Sequence, residues 1–102
     1  MNNSQPKEVK MPVKFRQEIF EGTYANLAMV HHTPEEFIID FFLANPPQYI
    51  TLNSRIILNP GHIKRLWKVL GENISKYENK FGKIKETPEL KVNIDMKKSG
   101  IA

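Results

Sequence analysis

The sequence contains no cysteine among its 102 residues. That absence excludes disulfide bonds, thiolate metal sites and a cysteine nucleophile, and it is compatible with a reducing cytosol. No apolar run approaches the ~20 residues that a transmembrane helix requires. The N-terminal residues are polar and lack the apolar core of a secretory signal. These absences predict a cytoplasmic protein that does not act at a membrane.

The net charge is +4, but residues 13–82 carry only +1 of it. Residues 1–12 contribute +1 and residues 83–102 contribute +2. Basic charge in terminal segments supports solubility and weak attraction of anions more than it predicts a dedicated nucleic-acid surface. Charge alone therefore permits nucleic-acid association without favouring it.

The clearest predicted element is a helix over residues 60–81. Asn59 is a favourable N-cap, Pro60 suits the first helical position, and Gly82 can close the helix. Steps of four and three place six apolar residues on one face: Ile63, Trp67, Leu70, Ile74, Tyr77 and Phe81. We expect this face to pack across a sheet formed by the residues that precede it.

Four stretches before the helix have strand-like patterns: Val13–Phe20, Thr23–His32, Phe37–Leu43 and Tyr49–Leu58. Their short connections predict antiparallel neighbours. Thr33 begins a predicted turn, although Thr33 and Glu36 also resemble a helix capping box. The predicted fold class is α+β, a four-stranded antiparallel sheet followed by one long C-terminal helix (β-β-β-β-α).

A single α+β domain is predicted over residues 13–82. Residues 1–12 are predicted to be a disordered N-terminal arm, and residues 83–102 a flexible C-terminal tail. Weak alternation of Val92, Ile94 and Met96 in that tail alternatively predicts an edge strand that is added to a partner.

Four motifs occur together in this chain: GTYAN at 22–26, HTPEEF at 32–37, SRIILNPGHIKRL at 54–66 and NISKYENKFG at 73–82. In combination they resemble a small prokaryotic domain-of-unknown-function family, over about residues 17–85. That resemblance implies no activity. More loosely, four strands followed by a long helix is similar to the export chaperone SecB, although that chaperone is acidic. This second similarity concerns the fold alone.

Asp40 and Arg55 each interrupt an apolar strand. A buried carboxylate needs a partner, and neighbouring strands would bring these two side chains together as a charge-assisted pair. We expect a structural ion pair, because no second carboxylate is placed for acid–base catalysis.

The first turns of the predicted helix are basic, with His62, Lys64, Arg65 and Lys68. Cations are unfavourable at this end of a helix, so a binding role for phosphate or an acidic partner is one hypothesis. A solvated basic stripe is the equal alternative. Gly71 is also unusual within a helix, and either close approach across an oligomer interface or simple exposure would explain it.

A single helix can cover only one side of the predicted sheet, which leaves large apolar residues on the other. We expect that side to form an oligomer or partner interface through Phe37, Ile39, Phe41 and Leu43. No metal site is predicted, because the adjacent His31 and His32 point to opposite sides of a strand and His62 lacks ligands at helical spacing. No cofactor is predicted either.

The sequence therefore predicts a non-enzymatic interaction module, a homodimer or higher oligomer that binds a protein partner in the manner of an adaptor or chaperone. The alternative is a nucleic-acid-associated accessory protein that contacts phosphates through the basic helix start and the lysine-rich tails.

Overall fold

The computed structural model describes residues 7–88 and 91–93. It contains three strands and two helices in the order α1 (Gln17–Glu21), β1 (Leu27–His32), β2 (Phe37–Asn45), β3 (Tyr49–Leu58) and α2 (Pro60–Phe81). The strands form one antiparallel sheet in the order β1-β2-β3. The α+β class and the antiparallel sheet followed by a C-terminal helix are thus confirmed, with three strands in the described chain.

The predicted strand Val13–Phe20 is wrong. Residues 13–16 have no regular structure, and Gln17–Glu21 form the short helix α1. Gln and Glu favour a helical turn, and alternation alone does not supply a neighbouring strand with which to pair. The rings of Phe15 and Phe20 pack on each other instead, with centroids 5.1 Å apart. Gly22 then redirects the chain with a φ of 86°.

The strand predicted over Thr23–His32 begins later, at Leu27. The Asn26 N–H still donates to the Phe42 carbonyl, but beyond it the Asn26 side chain, and not a strand backbone, bonds to β2. Asn26 Oδ1 accepts from the Ala44 N–H at 2.8 Å, and its Nδ2 donates to the Ala44 carbonyl at 3.1 Å. The amide group therefore satisfies both backbone groups of Ala44, as a neighbouring strand would. Strand β2 is longer than predicted and ends at Asn45, because Ala44 and Asn45 pair with Ile50 and Tyr49 of β3.

The connection between β1 and β2 is the predicted turn. Thr33 Oγ1 accepts from the N–H groups of Glu35 and Glu36, and the Thr33 N–H donates to the Glu36 carbonyl. The other hairpin, between β2 and β3, closes over residues 46–48. One irregularity interrupts its ladder, where Asn53 is inserted into β3 opposite the step from Phe41 to Phe42.

The core lies in β2 at the centre of the sheet. Its buried members are Ile39, Asp40, Phe42 and Ala44. We name the two sides of the sheet after β2: the Ile39 face, which also holds the other odd-numbered residues from 37 to 43, and the Asp40 face, which holds the even-numbered residues from 38 to 44.

Helix α2 begins and ends where predicted, with Asn59 as N-cap and Gly82 as C-cap at a φ of 99°. The expectation that it packs across the sheet is wrong, because none of its residues is buried. Only Asn59 separates β3 from α2, so no loop is present to fold the helix back over the sheet. No helix in the described chain is both long and apolar enough to cross a membrane.

Chain segments outside the regular elements lie beside the sheet instead of α2. Gly22, Thr23 and Ala25, with Ile19 of α1, line one cleft together with Phe41 and Ile56 of the Ile39 face. Residues 91–93 line another with Ala44 and Ile50, and Val92 is half-buried. Residues 7–12 and 83–88 contain neither helix nor strand. The rest of the two predicted tails, including Ile94 and Met96, lies outside the described residues.

Candidate partner-binding surfaces

The basic helix start is formed by the first three turns of α2. Asn59 Oδ1 accepts from the His62 N–H at 2.7 Å, which fixes the beginning of the helix. The first turn contains no acidic residue. His62, Lys64, Arg65 and Lys68 are all exposed, and within the described chain none of them is in an ion pair. The structure thus leaves all four side chains accessible to a partner from solvent.

Trp67 lies among these basic residues and is 68% exposed. Together with Lys68, Gly71 and Glu72 it lines a shallow cleft on the helix surface. A Cβ at Gly71 would meet no described atom within 4 Å, so nothing in the described part of one copy explains this glycine. An indole beside exposed cations is a surface that could stack on a flat ligand or pack on an apolar partner.

The Ile39 face is only partly open. Ile39 itself is buried, and Phe37, Phe41 and Leu43 are half-buried. In the cross-strand row through Ile39, however, Val30 on β1 is 60% exposed and Ile56 on β3 is 42% exposed. The apolar surface that remains available on this face therefore includes both neighbours of Ile39.

Asp40 and Arg55 are brought together by the register of β2 and β3, in which they lie directly opposite. Arg55 donates from Nε to Asp40 Oδ1 at 2.6 Å and from Nη2 to Asp40 Oδ2 at 2.9 Å. His31 Nε2 lies 3.6 Å from the same Oδ2. The hydrogen bonds from Arg55 lower the pKa of Asp40 below its ordinary value, although burial acts in the opposite direction. The carboxylate in turn raises the pKa of Arg55.

This pair has the geometry of a structural contact. The Asp40 side chain has no solvent exposure, whereas that of Arg55 is half exposed. Both carboxylate oxygens face donors, so the buried charge is compensated by a two-pronged hydrogen bond. A carboxylate held ionised in this way is a poor proton donor or acceptor at neutral pH.

Comparison with known families decides the classification. A family model of proteins of unknown function, DUF3467, matches residues 1–86 of the 102. The chain belongs to the DUF3467 family. The match includes the whole sheet and both helices, and it ends before residues 91–93. No match was found among curated proteins or among solved structures. The similarity to SecB therefore remains an expectation, and the four-stranded arrangement on which it depended is absent from the described residues.

The three histidines of this DUF3467 domain lie on three different surfaces. His31 faces Asp40, the ring of His32 packs against Phe37 with centroids 5.5 Å apart, and His62 lies at the helix start. Within the described ranges, no group of three or more His, Asp or Glu side chains is placed to hold a metal ion.

Sequence reasoning missed two features of the domain. Asn26 and Asn53 hold the N-terminal segment to the sheet, since Asn53 Nδ2 also donates to the Tyr24 carbonyl at 2.9 Å. Asparagine is depleted in strands, so its presence at these two positions is the feature of the sequence that indicates a special role. The second feature is the exposure of the apolar face of α2, which the apolar pattern alone predicts to pack within the chain. The indication in the sequence is the alternation of four- and three-residue steps along α2, which gives a narrower apolar stripe than a helix packed on a globular core usually has.

Proposed function

We propose that this DUF3467 protein is a non-enzymatic, cytoplasmic interaction module, oligomeric in its working form, that binds a protein partner through the Ile39 face and the basic helix start. The observation that carries the proposal is the exposure of Val30 and Ile56 on either side of the buried Ile39. A partner side chain placed on this row would bury apolar surface already backed by a packed core.

The position of β1 supports the same proposal. Within the described residues β1 pairs only with β2, so its other edge presents free backbone groups. A partner strand could add to this edge and place side chains over Val30, which combines backbone hydrogen bonding with apolar contact. The basic helix start would then select partners with an acidic segment, because its cations also experience the positive end of the helix dipole.

A pair of adjacent residues on β3 provides the test of the apolar contact. Ile56 lies on the Ile39 face and Ile57, 56% exposed, lies on the Asp40 face. Tagged full-length protein carrying Ile56→Lys, and separately Ile57→Lys, is used for capture from nuclease-treated host lysate and read by mass spectrometry. We expect Ile56→Lys to lose the captured partner and Ile57→Lys to retain it. Equal loss or equal retention would contradict the proposed contact.

A second pair of variants tests the electrostatic contact. Lys64→Glu with Arg65→Glu reverses the basic helix start, whereas Lys76→Glu with Lys80→Glu makes the same change of charge near the other end of α2. We expect only the first variant to lose the partner. Retention by the first variant would remove the helix start from the proposed surface.

Nucleic-acid association is the second candidate function, favoured by the exposure of Trp67 between Arg65 and Lys68. Trp67 is the only tryptophan of the chain, so its fluorescence reports on its own surroundings. Quenching by a single-stranded oligonucleotide that weakens steeply with added salt would support this function over protein binding. Fluorescence unaffected by the oligonucleotide would exclude stacking on Trp67.

A further inference from the structure

The apolar stripe of α2 is left without a partner by the chain's own sheet. Five of its members are between 49% and 68% exposed: Trp67, Leu70, Ile74, Tyr77 and Phe81. Two of them, Tyr77 and Phe81, pack on each other along the helix with centroids 5.0 Å apart, which does not remove either from solvent. Exposed apolar surface of this extent and regularity indicates an interface.

The spacing of the stripe defines the shape of that interface. Steps of four and three repeated through the helix are the a and d positions of a heptad, in which Trp67, Ile74 and Phe81 occupy a and Ile63, Leu70 and Tyr77 occupy d. A heptad stripe pairs with another helix of the same repeat more naturally than with a flat sheet. The partner it fits is therefore a second helix.

We propose that two copies of this chain associate through α2 as an antiparallel pair centred beside Gly71. Antiparallel pairing places each a residue against a d residue of the other copy. With the centre at residue 72, Leu70 faces Ile74 of the second copy, and Trp67 faces its Tyr77. The outermost layer joins Ile63 to Phe81. Each layer occurs twice by symmetry, so all six stripe residues of both copies are used.

The residues that flank the stripe fit this register. Lys64, Gly71 and Glu78 occupy the e positions, which approach each other across an antiparallel pair. The same centre places Lys64 near Glu78 of the second copy, twice, and the two Gly71 residues beside the symmetry axis, each one residue from it. Two complementary ion pairs and a residue without a side chain near the crossing both favour close antiparallel packing. The proposal thus also accounts for Gly71.

Charge along the helix disfavours the parallel alternative. Residues 60–71 contain Lys64, Arg65 and Lys68 and no acid, whereas residues 72–81 contain two acids and two lysines. A parallel pair would place the two basic halves side by side, and an antiparallel pair places each basic half beside a balanced one. Antiparallel helices also oppose their dipoles favourably.

The available area is sufficient for a dimer. An aromatic side chain can bury about 200 Å², so the exposed parts of Trp67, Tyr77 and Phe81 in two copies offer roughly 700 Å². Leu70 and Ile74 extend this toward about 1,000 Å², near the lower bound for a specific interface. Packing of the same stripe against the chain's own sheet would need a loop between β3 and α2, and only Asn59 lies between them.

This inference rests on the oligomeric part of the proposed function and is tested independently of partner capture. The natural chain has no cysteine, so a single introduced cysteine in the full-length protein carries one nitroxide label. Arg65→Cys, Glu72→Cys and Asn79→Cys place the label at the three exposed f positions, away from the stripe. Distances between the labels of two copies are measured by pulsed electron paramagnetic resonance.

An antiparallel pair centred at residue 72 predicts the shortest distance at Glu72. The label at position 65 should be offset from the same label in the second copy by about 21 Å along the helix axis, at 1.5 Å per residue, and the same offset is expected at position 79. Equal distances at all three positions would indicate a parallel pair. Absence of dipolar coupling at all three would indicate no association through α2. Either result overturns the proposal, whereas loss of partner capture by the Ile56→Lys variant would not.

Charge exchange provides a second test, read by sedimentation of the full-length protein. Lys64→Glu and Glu78→Lys each create two like-charged contacts and should each weaken dimerisation roughly three- to tenfold. The variant that carries both changes restores both pairs and should regain most of the affinity. Glu78 also accepts from the Ile84 N–H at 2.9 Å, and that bond stays lost in the double variant. Recovery therefore reports on Lys64 and Glu78 together, and failure to recover would refute the register.

Discussion

Replacing Asn26 by alanine removes the contact that substitutes for strand pairing at the start of β1. Asn26 Oδ1 and Nδ2 hold the N–H and the carbonyl of Ala44, a residue that is only 7% exposed. The alanine variant loses both hydrogen bonds and leaves two largely buried backbone groups without these partners. Because Ala44 lies in the central strand β2, the loss acts on the core of the sheet and not on a peripheral loop.

The expected cost follows from those two groups. A buried donor or acceptor left without a partner costs about 1–3 kcal/mol. Asn26 itself is exposed, so water reaches part of the vacated site and the lower end of that range applies to each group. We expect the free energy of unfolding to fall by about 2 kcal/mol, a large share of the 5–15 kcal/mol typical of a domain. For a domain of this size the midpoint of thermal unfolding should fall by roughly 8–16 °C.

Urea unfolding followed by circular dichroism measures this change. Asn45→Ala, at the exposed end of the same strand β2, is the matched control and should change stability by less than about 0.5 kcal/mol. Asn26→Asp keeps the acceptor for the Ala44 N–H but loses the donor to its carbonyl, so its stability should lie below that of the natural chain. If Asn26→Ala is no less stable than the Asn45→Ala control, the role assigned to Asn26 is wrong.

Three further predictions concern stability. The pKa of Asp40 is lowered in the folded protein, so the stability that its ionised form contributes is complete above the ordinary carboxyl value of 3.8 and is lost as the pH falls through the lowered value. Asp40→Asn should therefore flatten the dependence of the free energy of unfolding in urea on acid pH. An unchanged pH profile would contradict this role of Asp40. Asn59→Ala should cost about 1 kcal/mol through loss of the cap on the His62 N–H, with Asn59→Ser as the tolerated control in thermal melts. Gly71→Ala should stabilise dilute, monomeric protein by about 0.5–1 kcal/mol, since its Cβ meets nothing; a lower melting temperature would contradict that reasoning.

The parts of the fold that could be predicted are those determined by local chemistry. Asn59, Pro60 and Gly82 act on their own backbone, so the bounds of α2 follow from a few residues. The contact between Asp40 and Arg55 follows from the adjacency of two strands joined by a short turn, together with the cost of an unpaired buried carboxylate.

The parts that could not be predicted depend on partners distant in sequence. Alternation over residues 13–20 indicates two unlike faces but does not specify a neighbouring strand, and α1 forms there instead. An apolar stripe likewise indicates that α2 has a face to bury without specifying what covers it. The role of Asn26 depends on Ala44, eighteen residues away, and on a register that only the folded sheet defines.

Because a single residue joins β3 to α2, a small rotation at this junction moves the far end of the helix by a large distance. Asn59 directly follows the last residue of β3 and is also the N-cap of α2, so the direction of α2 is coupled to that of the last residues of β3. A helix of 22 residues extends about 33 Å. A rotation of about 10° at Asn59 would therefore displace Phe81 by about 6 Å. A small change in the twist of the sheet would therefore cause a larger displacement at the C-terminal end of α2.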